Sequence, residues 1–256
     1  MFSVPYLDNK KLKRIVDLVK EDAELQTFWR CSNVMAMNRM GYTDHGPTHV
    51  KIVANSALKL LRILVKKGIV PNAVKDYNLA NEDAEIIVVL ASIFHDLGMI
   101  VSREGHEEYS VMLAFHFLQR HLKAVYNTEE SAIVSSEVLH ALLSHHPQQR
   151  VLTLEAGIVR IADALDMERG RARIPFESGK VDIHAVSAMS IEKVEIMEGA
   201  EKPVVIKIRM SNSAGVFQID ELLKARIDGS GLEKYIHVVA EIVGEKERKI
   251  IEKFEI

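Results

Sequence analysis

Through roughly the first two thirds of the chain, apolar residues recur at three- and four-residue steps, the spacing of one face of a helix. Leu12, Ile15, Val16, Val19 and Ala23 predict an amphipathic helix over 10–29. Pro47 suits the first position of a second helix, where its missing N–H costs nothing. Val50, Val53, Ala54, Ala57, Leu58, Leu61 and Leu64 carry that helix to about Lys67, and Gly68 closes it. The stretch from Val70 to Asn78 reads as a connecting loop. Asn81 then reads as an N-cap, with Glu82 and Asp83 in the first turn. The helix it starts is apolar nearly all round from Ile86 to Phe94, which places it at the centre of the fold. It runs into His95-Asp96 and stops at Gly98. Further helices are expected at 107–125, 129–146 and 153–168, the last with Thr153 as its N-cap.

Near residue 175 the period changes. Residues 191–196 and 204–210 favour β-branched side chains with partial alternation, as strands do. A short helix is expected over 216–226 and a turn at Asp228-Gly229-Ser230-Gly231. Residues 235–243 and 249–256 read as two strands around a turn at 244–247. The fold class is therefore mainly α, an all-helical domain with a small C-terminal α+β appendage. The boundary falls at about 176–186, dividing the chain into 1–178 and 179–256. The appendage carries no recognisable motif.

Composition narrows the setting. A hydrophobic fraction of 48% in 256 residues supports a sizeable buried core. A net charge of −3 gives no electrostatic reason to expect nucleic acid or a membrane as partner. The single cysteine, Cys31, excludes an intramolecular disulfide and suits a reducing compartment. The first residues, MFSVPYLDNKKLKRIV, contain no apolar signal core, so a cytoplasmic protein is expected. The longest apolar run, 86–94, falls far short of the roughly 18–20 residues that span a bilayer.

Against that ordinary background, metal-seeking side chains recur in one order: His49, His95-Asp96, His106, His145 and Asp163, with His146 beside His145. Imidazole and carboxylate are ligands for divalent transition metals, and one carboxylate can bridge two ions. An acid such as Asp96 at the negative end of a buried helix is unfavourable without a cation. His116, His121, His184 and His237 read as ordinary packing residues, and His140 as structural or as an orienting partner. His45 lies four residues before His49 and shares its face if the helix extends that far. Lys51 and Arg103 lie close in sequence to these residues, and Arg169 and Arg171 follow Asp163; any of them could clamp a phosphate.

The run Ala91-Ser92-Ile93-Phe94-His95-Asp96-Leu97-Gly98 resembles the central motif of the HD-domain superfamily of metal-dependent phosphohydrolases. His49-Val50 with Val53-Ala54 resembles the helix bearing that family's first metal histidine, and Ile161 to Asp166 the helix bearing its last aspartate. His106 with Ser110, and Leu142-Leu143-Ser144-His145-His146, resemble elements of its dinuclear members. The resemblance covers roughly residues 40–175. It implies one metal on His49, His95, Asp96 and Asp163, with Asp96 bridging to a second on His106 and His145. His45 to His49 is similar to the H-x-x-x-H of cyclic nucleotide phosphodiesterases, in which the first histidine is the acid. The chain departs from the HD-GYP branch because Pro147-Gln148-Gln149 follows His146.

The resemblance thus implies one or two divalent ions per chain (Mn, Fe, Ni, Co, Mg or Zn). It implies hydrolysis of a phosphoester or phosphoanhydride, of a nucleotide or cyclic nucleotide, by a metal-activated hydroxide. His45, Asp96 and Lys51 are the expected catalytic residues, and Arg103, His146, Arg169 and Arg171 the expected substrate contacts, with His146 open also to the roles of metal ligand or orienting partner. The partner expected is a small phosphorylated molecule, with a homodimer as the candidate assembly. Two other functions use the same residues: a mixed-valence di-iron oxygenase and a non-catalytic nucleotide-binding module.

Overall fold

The computed structural model describes residues 2–169 and 187–243 and the backbone of 253–255. The protein is mainly α-helical, with a small sheet following the helices. The helices that build the region before the sheet are, among the described residues, α1 Lys10–Glu21, α2 Ala23–Asn33, α3 Pro47–Lys66, α4 Asn72–Tyr77, α5 Asn81–Phe94, α6 His106–His121, α7 Thr128–Ser144 and α8 Leu154–Ala164. Among the described residues no helix is long and apolar enough to cross a membrane.

The helix expected over 10–29 is two helices, because Asp22 breaks it. Asp22 has extended backbone at φ −77 and ψ 95, and its side chain accepts from Leu25 N–H at 3.0 Å as the N-cap of α2. His121 and Arg120 on α6 approach the same carboxylate at 2.8 and 2.7 Å, fixing the corner from outside. The expected loop at 70–78 contains α4, which ends on Asn78 at φ 56. Asn81 is the first residue of α5 rather than its cap. The cap is Ala80, whose N–H donates to Asp83 Oδ2 at 2.9 Å.

Helix α5 is buried along nearly its whole length and packs against α1, α3, α7 and α8. This is what an all-round apolar sequence requires, since water on any face would leave several large side chains exposed. The indole N–H of Trp29 donates to Ile93 O at 3.1 Å and ties α2 to the end of α5 just before the His-Asp pair.

The sheet has the order β1-β2-β3-β4, with β1 Ile191–Glu198, β2 Val204–Met210, β3 Ile236–Ile242 and β4 Lys253–Glu255. β1 pairs antiparallel with β2, β2 parallel with β3 from Val204↔Ile236 to Met210↔Ile242, and β3 antiparallel with β4. Alternation in β2 and β3 buries Val204, Ile206, Ile208 and Met210 beside Ile236, Val238, Ala240 and Ile242. The crossover between β2 and β3 holds a π-helical stretch, Gln218–Lys224, and a helical turn, Ala225–Ile227, where one short helix was expected. The turn expected at 244–247 lies outside the described residues. One continuous cluster of buried apolar side chains joins the helices to the sheet.

Candidate metal centre

Helix α5 ends so that its last residues face inward. His95 keeps helical backbone (φ −56, ψ −35), and Asp96 leaves it (φ −103, ψ 9) to enter a 3₁₀ turn at Leu97–Ile100. Gly98 allows that turn to lie against the start of α6: a Cβ there would stand 2.0 Å from His106 O. Gly98 N–H donates to Ser110 Oγ at 2.8 Å, and Ser110 Oγ donates to His95 O at 2.6 Å. The His-Asp pair and His106 are thereby set in one rigid corner.

Asp96 is the hub. Its Oδ2 stands 3.2 Å from His49 Nε2 and 3.1 Å from His95 Nε2, while its Oδ1 stands 3.4 Å from His106 Nε2. The Nε2 atoms of His49 and His95 are 3.0 Å apart, and those of His106 and His145 are 3.3 Å apart. Asp163 Oδ1 lies 3.3 Å from His49 Nε2 and 3.6 Å from His95 Nε2. His49, His95, Asp96, His106 and His145 are all buried, and Asp163 keeps 16% of its side chain exposed.

Every ring is turned the same way. His49 Nδ1 meets Asp166 Oδ2 at 2.6 Å; His95 Nδ1 meets Ser92 O at 2.9 Å; His106 Nδ1 meets Arg103 O at 3.0 Å; His145 Nδ1 meets Leu142 O at 2.5 Å. Carboxylates and carbonyls only accept, so each Nδ1 carries the hydrogen and each neutral ring presents an Nε2 lone pair to the centre. Lone pairs converging at about 3 Å repel one another unless something positive lies between them. Asp96 Oδ2, buried and accepting no hydrogen bond, makes the same demand.

A divalent ion meets it. Two ligand atoms each about 2.1 Å from one ion stand about 3.0–3.4 Å apart, the range of these separations apart from Asp163 Oδ1 to His95 Nε2 at 3.6 Å. The donors fall into two trios, His49–His95–Asp96 and Asp96–His106–His145, that share Asp96. Without an ion, imidazole protons must balance the carboxylates. Burial opposes charge on His95, but Asp96 and Asp163 outweigh it and lift its pKa to about 9. His106 is lifted to about 9 in the same way, against burial, by Asp96 and Glu107. Burial favours neutral carboxyls at Asp96 and Asp163, yet the surrounding histidines hold both well below the usual carboxylate range. Burial, and then the charges on His95 and His106, push His145 down to about 3.

The other sequence candidates divide. His45 is buried, its ring centroid 5.7 Å from that of His49, and its Nδ1–H donates to Thr43 O at 2.8 Å. It precedes α3 rather than lying on it, because Gly46 is the cap. Arg103 is exposed, with Nη1 3.2 Å from the His106 ring. His146 is half-buried; its Nδ1 accepts from Gln148 N–H at 3.2 Å and its Nε2 stands 3.9 Å from Glu107 Oε1. Lys51 is exposed and is not gathered with the others: two residues along a helix turn it about 200° from His49. Arg169 is exposed, and Arg171 lies outside the described residues.

Three residues beside the cluster escaped the list of sequence candidates. Glu107 is buried with Oε2 3.1 Å from His106 Nδ1. Arg160 is buried and donates to the carbonyls of Ser144 and His146, each at 2.8 Å, and to that of Gln149. Arg226 donates to His145 O. Asp166, just past the end of α8, is buried and meets His49 Nδ1 through Oδ2 at 2.6 Å, so it orients that ring.

The chain belongs to the HD-domain family, whose family model it matches over residues 48–168. That membership, with the two His/Asp trios, points to divalent-metal binding and to a superfamily of metal-dependent hydrolases. The chain is also similar to the uncharacterized protein MJ1020 of Methanocaldococcus jannaschii, 46% identical over 244 residues that span 95% of this chain and 93% of that protein. His45 lies just outside the residues matched to the family.

Proposed function

We propose that the protein is a metal-dependent phosphohydrolase that cleaves a phosphoester or phosphoanhydride of a small phosphorylated molecule, a nucleotide or cyclic nucleotide. The observation that carries this reading is the pair of donor trios hinged on Asp96, with four imidazoles locked to present Nε2 inward. Divalent ions bound there would acidify water towards neutral pH and neutralise phosphoryl oxygens.

The chain's own groups supply the remainder. Asp96 and Asp163 give the centre its negative charge, and both carboxylates stay ionised at neutral pH. As water attacks phosphorus, the bond from phosphorus to the leaving oxygen breaks and that oxygen needs a proton. His45 is the proposed donor. Its Nδ1–H is committed to Thr43 O, so Nε2 is the atom that would carry the proton. Arg103, exposed beside His106, is the proposed contact for a non-bridging phosphate oxygen.

The test is turnover of bis-p-nitrophenyl phosphate and a nucleotide panel by protein loaded in turn with Mn, Fe, Ni, Co, Mg and Zn. We expect activity with at least one ion, and loss of both bound ion and activity in His95→Ala. Protein that holds metal yet turns over none of these substrates would overturn the proposal.

A further inference from the structure

Arg226 stands on the helical turn Ala225–Ile227, in the crossover between β2 and β3. Its guanidinium reaches back into the helical part of the molecule. Nη1 donates to His145 O, and Nη2 stands 3.9 Å from Asp163 Oδ2. The other oxygen of Asp163 is the one that faces His49 and His95, at 3.3 and 3.6 Å. One planar group therefore spans both ends of the donor cluster, as an ion pair with the carboxylate beside the first trio and a hydrogen bond to the backbone of a histidine in the second. A fork of fixed geometry can hold two acceptors at a set separation, which a flexible ammonium cannot.

The His145 end of α7 needs such help. Its last carbonyls have no helical partner and carry the negative end of the helix dipole. Arg160 takes the carbonyls of Ser144, His146 and Gln149. Arg226 takes that of His145, and it comes from beyond the residues matched to the family. The segment bearing it is pressed onto α8, the helix of Asp163. A Cβ on Gly157 of α8 would stand 2.3 Å from Ser230 O.

We propose that Arg226 is a positioning residue of the metal centre, fixing Asp163 and His145 relative to each other and making the C-terminal segment part of the ion-binding apparatus. The proposal rests on reading the cluster as a divalent-metal site and is independent of the phosphohydrolase reading.

Co²⁺ titrated into chelator-treated full-length protein tests it, read by calorimetry and by the visible bands of the bound ion, with far-UV circular dichroism as the check of folding. Arg226→Met is expected to weaken Co²⁺ binding by about ten- to hundredfold, as loss of a ligand-orienting partner does, and to alter the bands. Arg226→Lys, which can satisfy one contact but not both, is expected to recover part of the loss. Wild-type affinity and bands in Arg226→Met would overturn the proposal. So would wild-type Co²⁺ affinity combined with a raised KM for bis-p-nitrophenyl phosphate, which would make Arg226 a substrate contact. If Arg226→Met does not fold, Arg226→Lys decides: binding several-fold weaker supports the role, and wild-type affinity refutes it. A wild-type chain that takes up no Co²⁺ would refute the metal reading itself and the proposal with it.

Discussion

His95 and His106 hold protons more tightly than free imidazole because Asp96, Asp163 and Glu107 surround them, and this dictates how an ion must enter. With pKa values of about 9, both rings are protonated at pH 6 to 7, and a metal must expel those protons to reach Nε2. Raising the pH towards 9 removes the competitor, so affinity should climb by about tenfold per pH unit for each proton displaced. His145, held at about 3, has no second proton to release. Co²⁺ isotherms at pH 6, 7 and 8 would show the climb, and superimposable isotherms would contradict it. The gathered donors were legible in the sequence because their chemistry is local: a histidine or aspartate closing an apolar helix is odd wherever it points. Arg160 and Arg226 were not, since the hydrogen bonds they donate go to backbone carbonyls, which every residue has, and their partners are distant in the chain. Lys51 is near His49 in sequence, but two residues along the helix turn it about 200° away, so nearness in sequence does not bring it to the donors.

Helix boundaries show the same divide between local and distant causes. α3 was legible at both ends, from Pro47 and Gly68, because caps are written in adjacent residues. α4 was hidden because its first N–H groups are satisfied from afar: Glu155 on α8 accepts from Asn72 at 3.2 Å and Ala73 at 2.9 Å. Asn72 Oδ1 returns the favour by accepting from Leu154 N–H at 2.9 Å, so two helices cap each other across the fold. α8 is thus held at its start by α4, along Gly157 by the turn at Ser230, and near its end by Arg226. Gly157→Ala should pry the turn away, since the obstruction is a backbone carbonyl and cannot rotate aside. A loss of about 1–3 kcal/mol in urea unfolding is expected, together with weaker Co²⁺ binding. Unchanged stability and affinity would mean that α8 does not depend on this contact.

Among the described residues, one cluster of buried apolar side chains runs from α1 through α5 and α8 to β2 and β3. The sequence showed where the periodicity changes but carried no sign of this continuity, because the joining contacts are made by residues far apart in the chain. A shared core predicts one cooperative unfolding transition. Fluorescence of Trp29, the single tryptophan, reports on the helices, while far-UV circular dichroism reports on every element. Their melting curves should coincide, and a saturating divalent ion should shift both together, by about 2.7 kcal/mol at one hundred times its Kd. Two separated transitions would show that the sheet unfolds on its own. One consequence concerns how this centre tolerates mutation. Three of its four rings are aimed by the carbonyl three residues earlier, at Ser92, Arg103 and Leu142, and no point substitution deletes a carbonyl. Whatever else a changed side chain at those positions costs, it leaves the carbonyl that aims each ring in place. A single inserted residue is another matter, for it would swing a histidine about 100° around its helix and undo what no substitution there can.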